Sequence, residues 1–322
     1  MVSITAAGAA VHDRTCGALL GLALGDSMGR AGRGWTQDQV RHQLGWVSGL
    51  LPGNSGGQAG TVGSGTRAVL QMASGWPHRG RTDPVAARDA PLDATDVLED
   101  TVPSSAVLRR TATRAVDASS GLAQRAVPIG IAFNETRSIA ARVAEVAGPG
   151  TTSTALAAAG LVGGLISSAL DAPTGAEDPV FLAAHLEMGF RSAEATAGYG
   201  AEDAVPSVIE SALLARDIAV RAPDDAVFLQ RLYDVVGVSA LCTEAVPAAV
   251  GILFRAGGHP ARTCVLAANL GGETSRIGAL ATAMAGAVLG RDAIPAELSQ
   301  QLEQVNHLRI ADLAVQLVQL RG

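Results

Sequence analysis

The sequence lacks lysine entirely, and all 24 of its basic residues are arginine. Without a lysine amine, the chain can perform neither Schiff-base catalysis nor phosphate binding by a P-loop lysine. Arginine, alanine and glycine are abundant throughout, which is typical of a genome's coding bias. A single arginine in this sequence is therefore weak grounds for assigning a function.

Cysteine and aromatic residues are scarce. The three cysteines, Cys16, Cys242 and Cys264, lie far apart, which excludes a disulfide framework and a C-x-x-C metal site. Aromatic residues make up 3% of the chain, so few side chains could stack on bases, and the net charge of −6 disfavours a nucleic-acid surface. We expect no nucleic-acid partner and a reducing, cytoplasmic location.

Long apolar runs are also missing. The longest, residues 155–170 and 277–289, are shorter than the ~20 residues of a membrane span and contain much glycine and alanine. The N-terminus has no positively charged segment, and Asp13 precedes the apolar run at residues 18–24, which argues against a secretory signal. These runs predict closely packed buried helices and no membrane partner.

Helical periodicity is what the sequence does contain. Hydrophobic residues make up 48% of the 322 residues and charged residues 17%, which is too apolar for disorder and sufficient for a large core. Apolar residues recur at three- and four-residue spacing, and no alternating pattern predicts a sheet. We predict an all-α fold in a single domain spanning residues 1–322. The predicted helical segments are residues 138–146, 154–170, 178–197, 206–220, 245–254, 274–289 and 306–320.

Two irregular regions interrupt this pattern. The first, residues 32–65, is rich in glycine and precedes a helix predicted to begin near Thr66, whose first N–H groups could bind an anion. A surface loop without a ligand is the alternative, and the loop alone favours it. The second region, residues 75–102, is polar and contains proline, and we predict a flexible excursion over residues 76–102.

Four segments resemble the motifs of a known enzyme family in both order and spacing. They read G-A-L-L-G-L-A-L-G-D-S-M-G at residues 17–29, Q-R-A-V-P-I-G at 124–130, E-A-V-P-A-A at 244–249 and N-L-G-G-E-T-S-R-I at 269–277. The chain thereby resembles the ADP-ribosylglycohydrolase family, whose members include the enzyme that removes ADP-ribose from dinitrogenase reductase. The resemblance extends from about residue 14 to residue 320.

The resemblance implies an all-α fold with a cleft that holds two divalent ions, usually Mg²⁺ or Mn²⁺. In the family, carboxylates and threonines of an early T-D-D-T motif and a late G-G-D-T-D-T motif bind these ions. Such ions prefer hard oxygen ligands, and several carboxylates are needed to balance their charge. The ions position ribose hydroxyls and a water molecule at the anomeric carbon, where an oxocarbenium-like transition state develops.

The early metal-binding motif is degenerate in this sequence. Its four positions read Gly63, Ser64, Gly65 and Thr66, so both aspartates are missing. The glutamate that the family has shortly after its first motif also has no counterpart at residues 32–35.

The late motif is altered as well. Glu273 replaces its first aspartate, Thr274 is kept, and Ser275 and Arg276 replace its second aspartate and last threonine. Two divalent ions would carry four positive charges against one matched carboxylate. Arg276 would repel each unit of positive charge on these ions by ~4 kcal/mol at a distance of 4 Å and an effective dielectric constant near 20. We therefore predict no metal ion and no other cofactor, with Arg276 paired with Glu273 or holding phosphate or ribose oxygens.

The candidate catalytic residues are Glu273 and Asp26, either of which could act as a general base or stabilise the developing cation. Each also has a structural interpretation. Glu273 and Arg276 could form an i,i+3 surface pair, and Asp26 could cap or bridge the end of the first helix. Residues 63–65 could be a relaxed loop, and Arg125 with Pro128 could form a structural turn. The candidate substrate-binding residues are Arg276, Thr274, Ser275, Ser64, Gly65 and Thr66.

Three functions are compatible with this pattern. The first is hydrolysis of a glycosidic bond in an ADP-ribose-like or nucleoside-like ribosyl compound without metal ions. The second is an inactive relative that binds ADP-ribose or another nucleotide as a sensor or partner. The third is a cleft that performs different chemistry in a biosynthetic pathway. In each case we expect a small-molecule ligand and a monomeric protein.

Overall fold

The computed structural model of the chain describes residues 6–79, 120–173 and 179–321, in which all regular secondary structure is helical. The prediction of an all-α fold is therefore confirmed. The described residues form fourteen α-helices. They are α1 (Ala6–Gly29), α2 (Gln37–Leu44), α3 (Ser64–Arg79), α4 (Gly121–Ala132), α5 (Thr136–Ala147), α6 (Ser153–Leu170), α7 (Pro179–Ala197), α8 (Val208–Arg221), α9 (Asp225–Arg231), α10 (Cys242–Arg255), α11 (Pro260–Ala268), α12 (Thr274–Leu289), α13 (Ala296–Asn306) and α14 (Ile310–Leu320).

Helices α1 and α12 pack backbone to backbone in the core. Glycines recur every four residues on α1, at positions 17, 21, 25 and 29, and this spacing places them on one face. A Cβ atom at Gly21 would overlap the Thr282 carbonyl oxygen, and one at Gly25 would overlap the Gly278 carbonyl oxygen. The two helices run antiparallel, so the C-terminal end of α1 meets the N-terminal end of α12. The first and last motifs of the sequence are thereby brought together.

Helix α6 packs between α4 and α7. By length and composition it could cross a membrane, but 78% of the tested stretch Ser153–Leu170 is buried inside the structure. A buried core helix meets the same criteria, so the hydropathy of α6 carries no argument for a membrane span.

Most predicted helix boundaries agree with the structure to within three residues, and the segment 274–289 coincides with α12. The prediction of one helix over residues 306–320 is wrong. Helix α13 ends at Asn306, His307 takes a left-handed conformation with φ 54°, and α14 begins at Ile310. A left-handed non-glycine residue leaves little sequence signal, because glycine usually takes that position.

Three further predictions need correction. Residues 32–65 are not wholly irregular, because they contain α2, which begins with a capping box between Thr36 and Gln39. Helix α3 begins at Ser64 and continues to Arg79, so the start of the predicted excursion at residues 76–102 is helical. The remainder of that excursion lies outside the described residues. The predicted turn at Arg125 and Pro128 is wrong, since both lie inside α4.

Candidate functional site

Three helix ends meet at the candidate site: the C-terminal end of α1 and the N-terminal ends of α3 and α12. The Thr274 hydroxyl at the start of α12 donates a hydrogen bond of 2.6 Å to the carbonyl oxygen of Gly29. The Gly63 N–H just before α3 donates a hydrogen bond of 2.7 Å to Asp26 on α1. Residues from the first motif, the degenerate early motif and the late motif are therefore neighbours.

Asp26 is a buried carboxylate that ties α1 to the start of α3. Its Oδ2 atom accepts the Gly63 N–H, and negative charge at a helix N-terminus is favourable. Burial raises the pKa of Asp26 above its usual value, although the Gly63 N–H, the Thr66 hydroxyl, Arg30 and Arg33 all act to lower it. The bridging role that the sequence offered as an alternative for Asp26 is therefore present in the structure.

Gly63 lets the carboxylate and an arginine approach the backbone closely. A Cβ atom at this position would lie 3.3 Å from both carboxylate oxygens of Asp26 and 3.1 Å from Nη1 of Arg30. These distances are shorter than ordinary van der Waals contacts. A residue larger than glycine would therefore displace the side chain of Asp26 or that of Arg30.

Glu273 lies between two arginines at the N-cap of α12. Its Oε2 atom is 3.2 Å from Nε of Arg33 and 3.3 Å from Nε of Arg276. The three side chains are only 13% to 21% exposed. Arg33 forms a hydrogen bond with this oxygen, whereas the Nε–H of Arg276 does not point at it and finds no acceptor among the described residues.

Arg30 and Arg33 were missed by the sequence analysis. Both lie in the short turn after α1, and Asn54 fixes that turn by donating hydrogen bonds to their two carbonyl oxygens. The i,i+4 spacing of Asp26 and Arg30 is a signal that could have identified the first of them. Because every basic residue of the chain is arginine, neither of them stands out in the composition. We refer to Asp26, Arg30, Arg33, Glu273 and Arg276 together as the arginine–carboxylate site.

The N-x-G-G part of the late motif holds the segment that carries Arg33. Gly272 donates a hydrogen bond of 2.7 Å from its N–H to the Trp35 carbonyl oxygen and accepts one of 2.8 Å from the Gly34 N–H. Gly271 and Gly272 have φ angles of 86° and 69°, which favour glycine. Asn269 adds a reciprocal pair of hydrogen bonds to the backbone of Val47.

The predicted substrate-binding residues differ in accessibility. Thr274 is completely buried and its hydroxyl is engaged with Gly29, and Ser275 is 3% exposed. Thr66 is 1% exposed, while Gly65 is partly buried and Ser64 is exposed at the start of α3. Arg276 and Ser64 each keep some exposed surface, and the binding roles of all six residues stay predictions.

The donors of the arginine–carboxylate site do not suit a pair of divalent cations. Its two carboxylates are already engaged, Asp26 with a backbone N–H and Glu273 with two guanidinium groups, and three arginines add like charge. In the described part of the chain, no three His, Cys, Asp or Glu residues lie close enough together to hold a metal ion.

A cavity of about 540 Å³ lies elsewhere, between α3 and α14. Its walls include Arg67, Leu70, Asn306, His307 and Arg309, and none of the five residues of the arginine–carboxylate site. This cavity is therefore separate from the candidate site.

Comparisons with known proteins identify the fold and the family of the chain. A solved structure described as an ADP-ribosylglycohydrolase-related protein complex aligns with a TM-score of 0.65 and 23% identity, covering 96% of this chain and 98% of that chain. At this identity the likeness shows the fold. The uncharacterized protein YegU of Escherichia coli (strain K12) is 30% identical over 333 residues, covering 96% of this chain and 97% of YegU. The family model of the ADP-ribosylglycohydrolases matches residues 7–322. The chain therefore belongs to the ADP-ribosylglycohydrolase family.

Proposed function

We propose that the protein binds a ribosyl compound at the arginine–carboxylate site and hydrolyses its glycosidic bond without the family's two metal ions. The observation that carries this proposal is the position of Glu273 between Arg33 and Arg276, in the motif where the family places metal ligands. Guanidinium groups supply fixed positive charge and directed donors to ligand oxygens, which is part of what a divalent cation supplies.

Hydrolysis breaks the bond from the anomeric carbon to the leaving nitrogen or oxygen. The oxygen of a water molecule takes that place and a carboxylate accepts the water's proton. The leaving group takes up a proton from solvent as it departs, and the carboxylate returns its proton to solvent. Glu273 is the carboxylate that solvent can reach, whereas Asp26 is buried behind Gly63. We therefore assign Glu273 as the base or as the group that stabilises the cation, and Asp26 as the residue that positions Gly63 and Arg30.

Binding without turnover is the second candidate function, and one observation favours it. Two guanidinium groups already approach Oε2 of Glu273, the oxygen that would have to accept the proton of the attacking water. If Glu273 keeps both partners when the ligand is bound, the site recognises a ribosyl compound but lacks a base.

The first experiment is a thermal unfolding measurement on chelator-treated protein with Mg²⁺, Mn²⁺, ADP-ribose or ADP. A ligand of the folded state stabilises it by RT ln(1 + [L]/Kd) and so raises the midpoint. We expect stabilisation by ADP-ribose in the presence of chelator and no shift with either metal ion. A shift with Mg²⁺ or Mn²⁺ would contradict the metal-free proposal.

The second experiment measures turnover by chromatography on a panel of nucleosides and ADP-ribosyl compounds with excess chelator. We expect hydrolysis by the wild-type chain, and loss of turnover with retained binding in Glu273→Gln. Arg191→Gln is the matched control, because Arg191 is 64% exposed on α7 and the change also removes one charge. Binding with no turnover on any compound would select the second candidate function, and neither binding nor turnover would reject both.

A further inference from the structure

The E-A-V-P-A-A segment at residues 244–249 contributes no side chain to the arginine–carboxylate site. Its first residue, Glu244, is the third residue of α10. In a capping box, a glutamate at this position accepts the N–H of the N-cap residue. Here the N–H of the N-cap residue Leu241 donates to the Ser239 hydroxyl instead, at 3.3 Å. Glu244 reaches two residues farther back along the chain, which a cap of its own helix does not require.

The carboxylate of Glu244 holds the segment of residues 237–239. Its Oε2 atom accepts a hydrogen bond of 2.9 Å from the Ser239 N–H. The same oxygen lies against Gly237, where an added Cβ atom would overlap it. Gly237 follows a π-helical turn at Leu232–Val236, a local geometry that is frequent at functional sites. One carboxylate therefore contacts both ends of this three-residue segment.

The middle residue of the segment holds the backbone of Glu273. The Val238 carbonyl oxygen accepts a hydrogen bond of 2.8 Å from the Glu273 N–H. An added Cβ atom at Gly272 would also overlap the side chain of Val238, so the segment packs directly on the turn before α12. Glu273 makes no side-chain capping hydrogen bond to α12. Its N–H is thus held from outside its own helix.

We propose that Glu244 is a positioning residue for Glu273. Its carboxylate fixes the segment 237–239, and Val238 in turn fixes the backbone from which the Glu273 side chain extends. A displacement of about 1 Å at a reacting group can lower a rate by about 100-fold, so this support matters for the chemistry. The inference rests on the proposed function for the effect on turnover, but not for the effect on the Glu273 backbone.

Two substitutions separate the hydrogen bond of Glu244 from its charge. Glu244→Gln keeps the length of the side chain and an oxygen that can accept the Ser239 N–H, but removes the charge. Glu244→Asp keeps the charge but is shorter by one methylene group, which withdraws the carboxylate from Ser239. A residue that only stabilises the N-terminus of α10 by its charge would tolerate Asp better than Gln. A positioning residue tolerates Gln better than Asp.

The first measurement is amide hydrogen exchange at Glu273, followed by NMR, which requires no ligand. The rate is compared with that of Gly278 inside α12, because a general loss of stability would accelerate both. We expect the ratio of the two rates to rise at least tenfold in Glu244→Ala and Glu244→Asp, and less than twofold in Glu244→Gln. Glu210→Ala is the matched control, since Glu210 is the third residue of α8 and is exposed, and it should leave the ratio unchanged.

The second measurement is turnover of ADP-ribosyl compounds with excess chelator. We expect kcat to fall at least tenfold in Glu244→Ala and Glu244→Asp, with KM changed less than twofold, because the base is displaced while the arginines of the site remain. Glu244→Gln should retain most of the wild-type kcat. A purely structural role would not produce this order of variants.

Three results would overturn the inference. They are an unchanged exchange ratio in Glu244→Ala, wild-type behaviour of Glu244→Asp, and a kcat that stays the same in all Glu244 variants. If Glu244→Ala does not fold by circular dichroism, Glu244→Asp carries the same expectation. A wild-type chain without turnover on any compound would reject the hydrolytic function, and the exchange ratio would still confirm or reject the support of Glu273 by Glu244.

Discussion

Replacing Gly25 by alanine tests whether the backbone contact between α1 and α12 holds the candidate site together. A Cβ atom at this position would overlap the carbonyl oxygen of Gly278 and lie 2.8 Å from the nitrogen of Ala279. Both neighbours are backbone atoms in a helix, so neither can rotate away as a side chain could. The two helices would have to separate by about 1 Å. A gap of that size removes a quarter to a half of the dispersion energy of each contact between them.

The expected loss of stability is at the upper end of the usual range. Overpacking a well-packed core lowers the free energy of unfolding by ~1–3 kcal/mol. Because the neighbours of Gly25 are backbone atoms that cannot move aside, we expect a loss of ~3 kcal/mol for Gly25→Ala. For a chain of 322 residues, each kcal/mol corresponds to about 1.5 °C in the unfolding midpoint, so we expect a decrease of about 4–5 °C. The same separation would pull Thr274 away from Gly29, and ligand binding at the arginine–carboxylate site should weaken.

Thermal unfolding followed by circular dichroism measures this effect, with Gly75→Ala as the matched control. Gly75 lies inside α3, and no described atom lies within 4 Å of a Cβ atom built there. Because alanine is favoured over glycine in a helix by ~0.5–1 kcal/mol, the control should be slightly more stable than wild type. A Gly25→Ala protein as stable as wild type would refute the proposed contact between the helices.

Three other predictions follow from buried side chains and from the ion pairs of Asp225. Arg321 is 5% exposed, and its guanidinium donates hydrogen bonds to carbonyl oxygens at the ends of α4 and α6. Arg321→Ala should therefore lower the free energy of unfolding, measured with denaturant, by ~3 kcal/mol. Arg309→Ala, at an 83% exposed position, is the control and should leave it almost unchanged. Because the native pKa of Asp26 is raised above 3.8, the folded state holds that proton to higher pH than the unfolded state and loses stability as the pH rises through this interval. The stability of Asp26→Asn relative to wild type should therefore increase as pH rises. Asp225 behaves in the opposite way, because its ion pairs with Arg255 and Arg262 outweigh burial and lower its pKa. The stability of Asp225→Asn relative to wild type should therefore decrease as pH rises. Burial raises the pKa of the thiols of Cys16, Cys242 and Cys264 to about 11 or 12. A thiol reagent at pH 8 should therefore label these cysteines only after denaturation. Rapid labelling of any of them in the native protein would contradict this packing.

The fold could be predicted from sequence where local signals and tertiary packing agree. Helix α12 begins after the Gly271–Gly272 turn and ends before Gly290, so its ends are marked by glycines with positive φ. The break at His307 was missed because the residue with the left-handed conformation there is not a glycine. Helix α2 was missed although its capping box, Thr36 with Gln39, is visible in the sequence.

The candidate site was predictable only through the family motifs. Asp26, Glu273 and Arg276 come from segments some 250 residues apart, and no local pattern indicates that the glycines of α1 bring these segments into contact. Arg33 links the two halves, since it acts on the pKa of Asp26 and bonds to Glu273. Its role could not be read from a sequence in which every basic residue is arginine.

A surface i,i+3 pair between Glu273 and Arg276 does not account for this geometry. Such a pair contributes a few tenths of a kcal/mol and is largely solvated. Here Arg276 is 13% exposed and Arg33 approaches the same carboxylate oxygen. Their Nε atoms lie no more than about 6.5 Å apart, where two unit charges repel by ~2.5 kcal/mol at an effective dielectric constant near 20. An anion must lie between them to offset that repulsion, and Glu273 supplies it in the absence of a ligand. The loss of the family's aspartates and the presence of these arginines therefore both support the proposal of a site that works without metal ions.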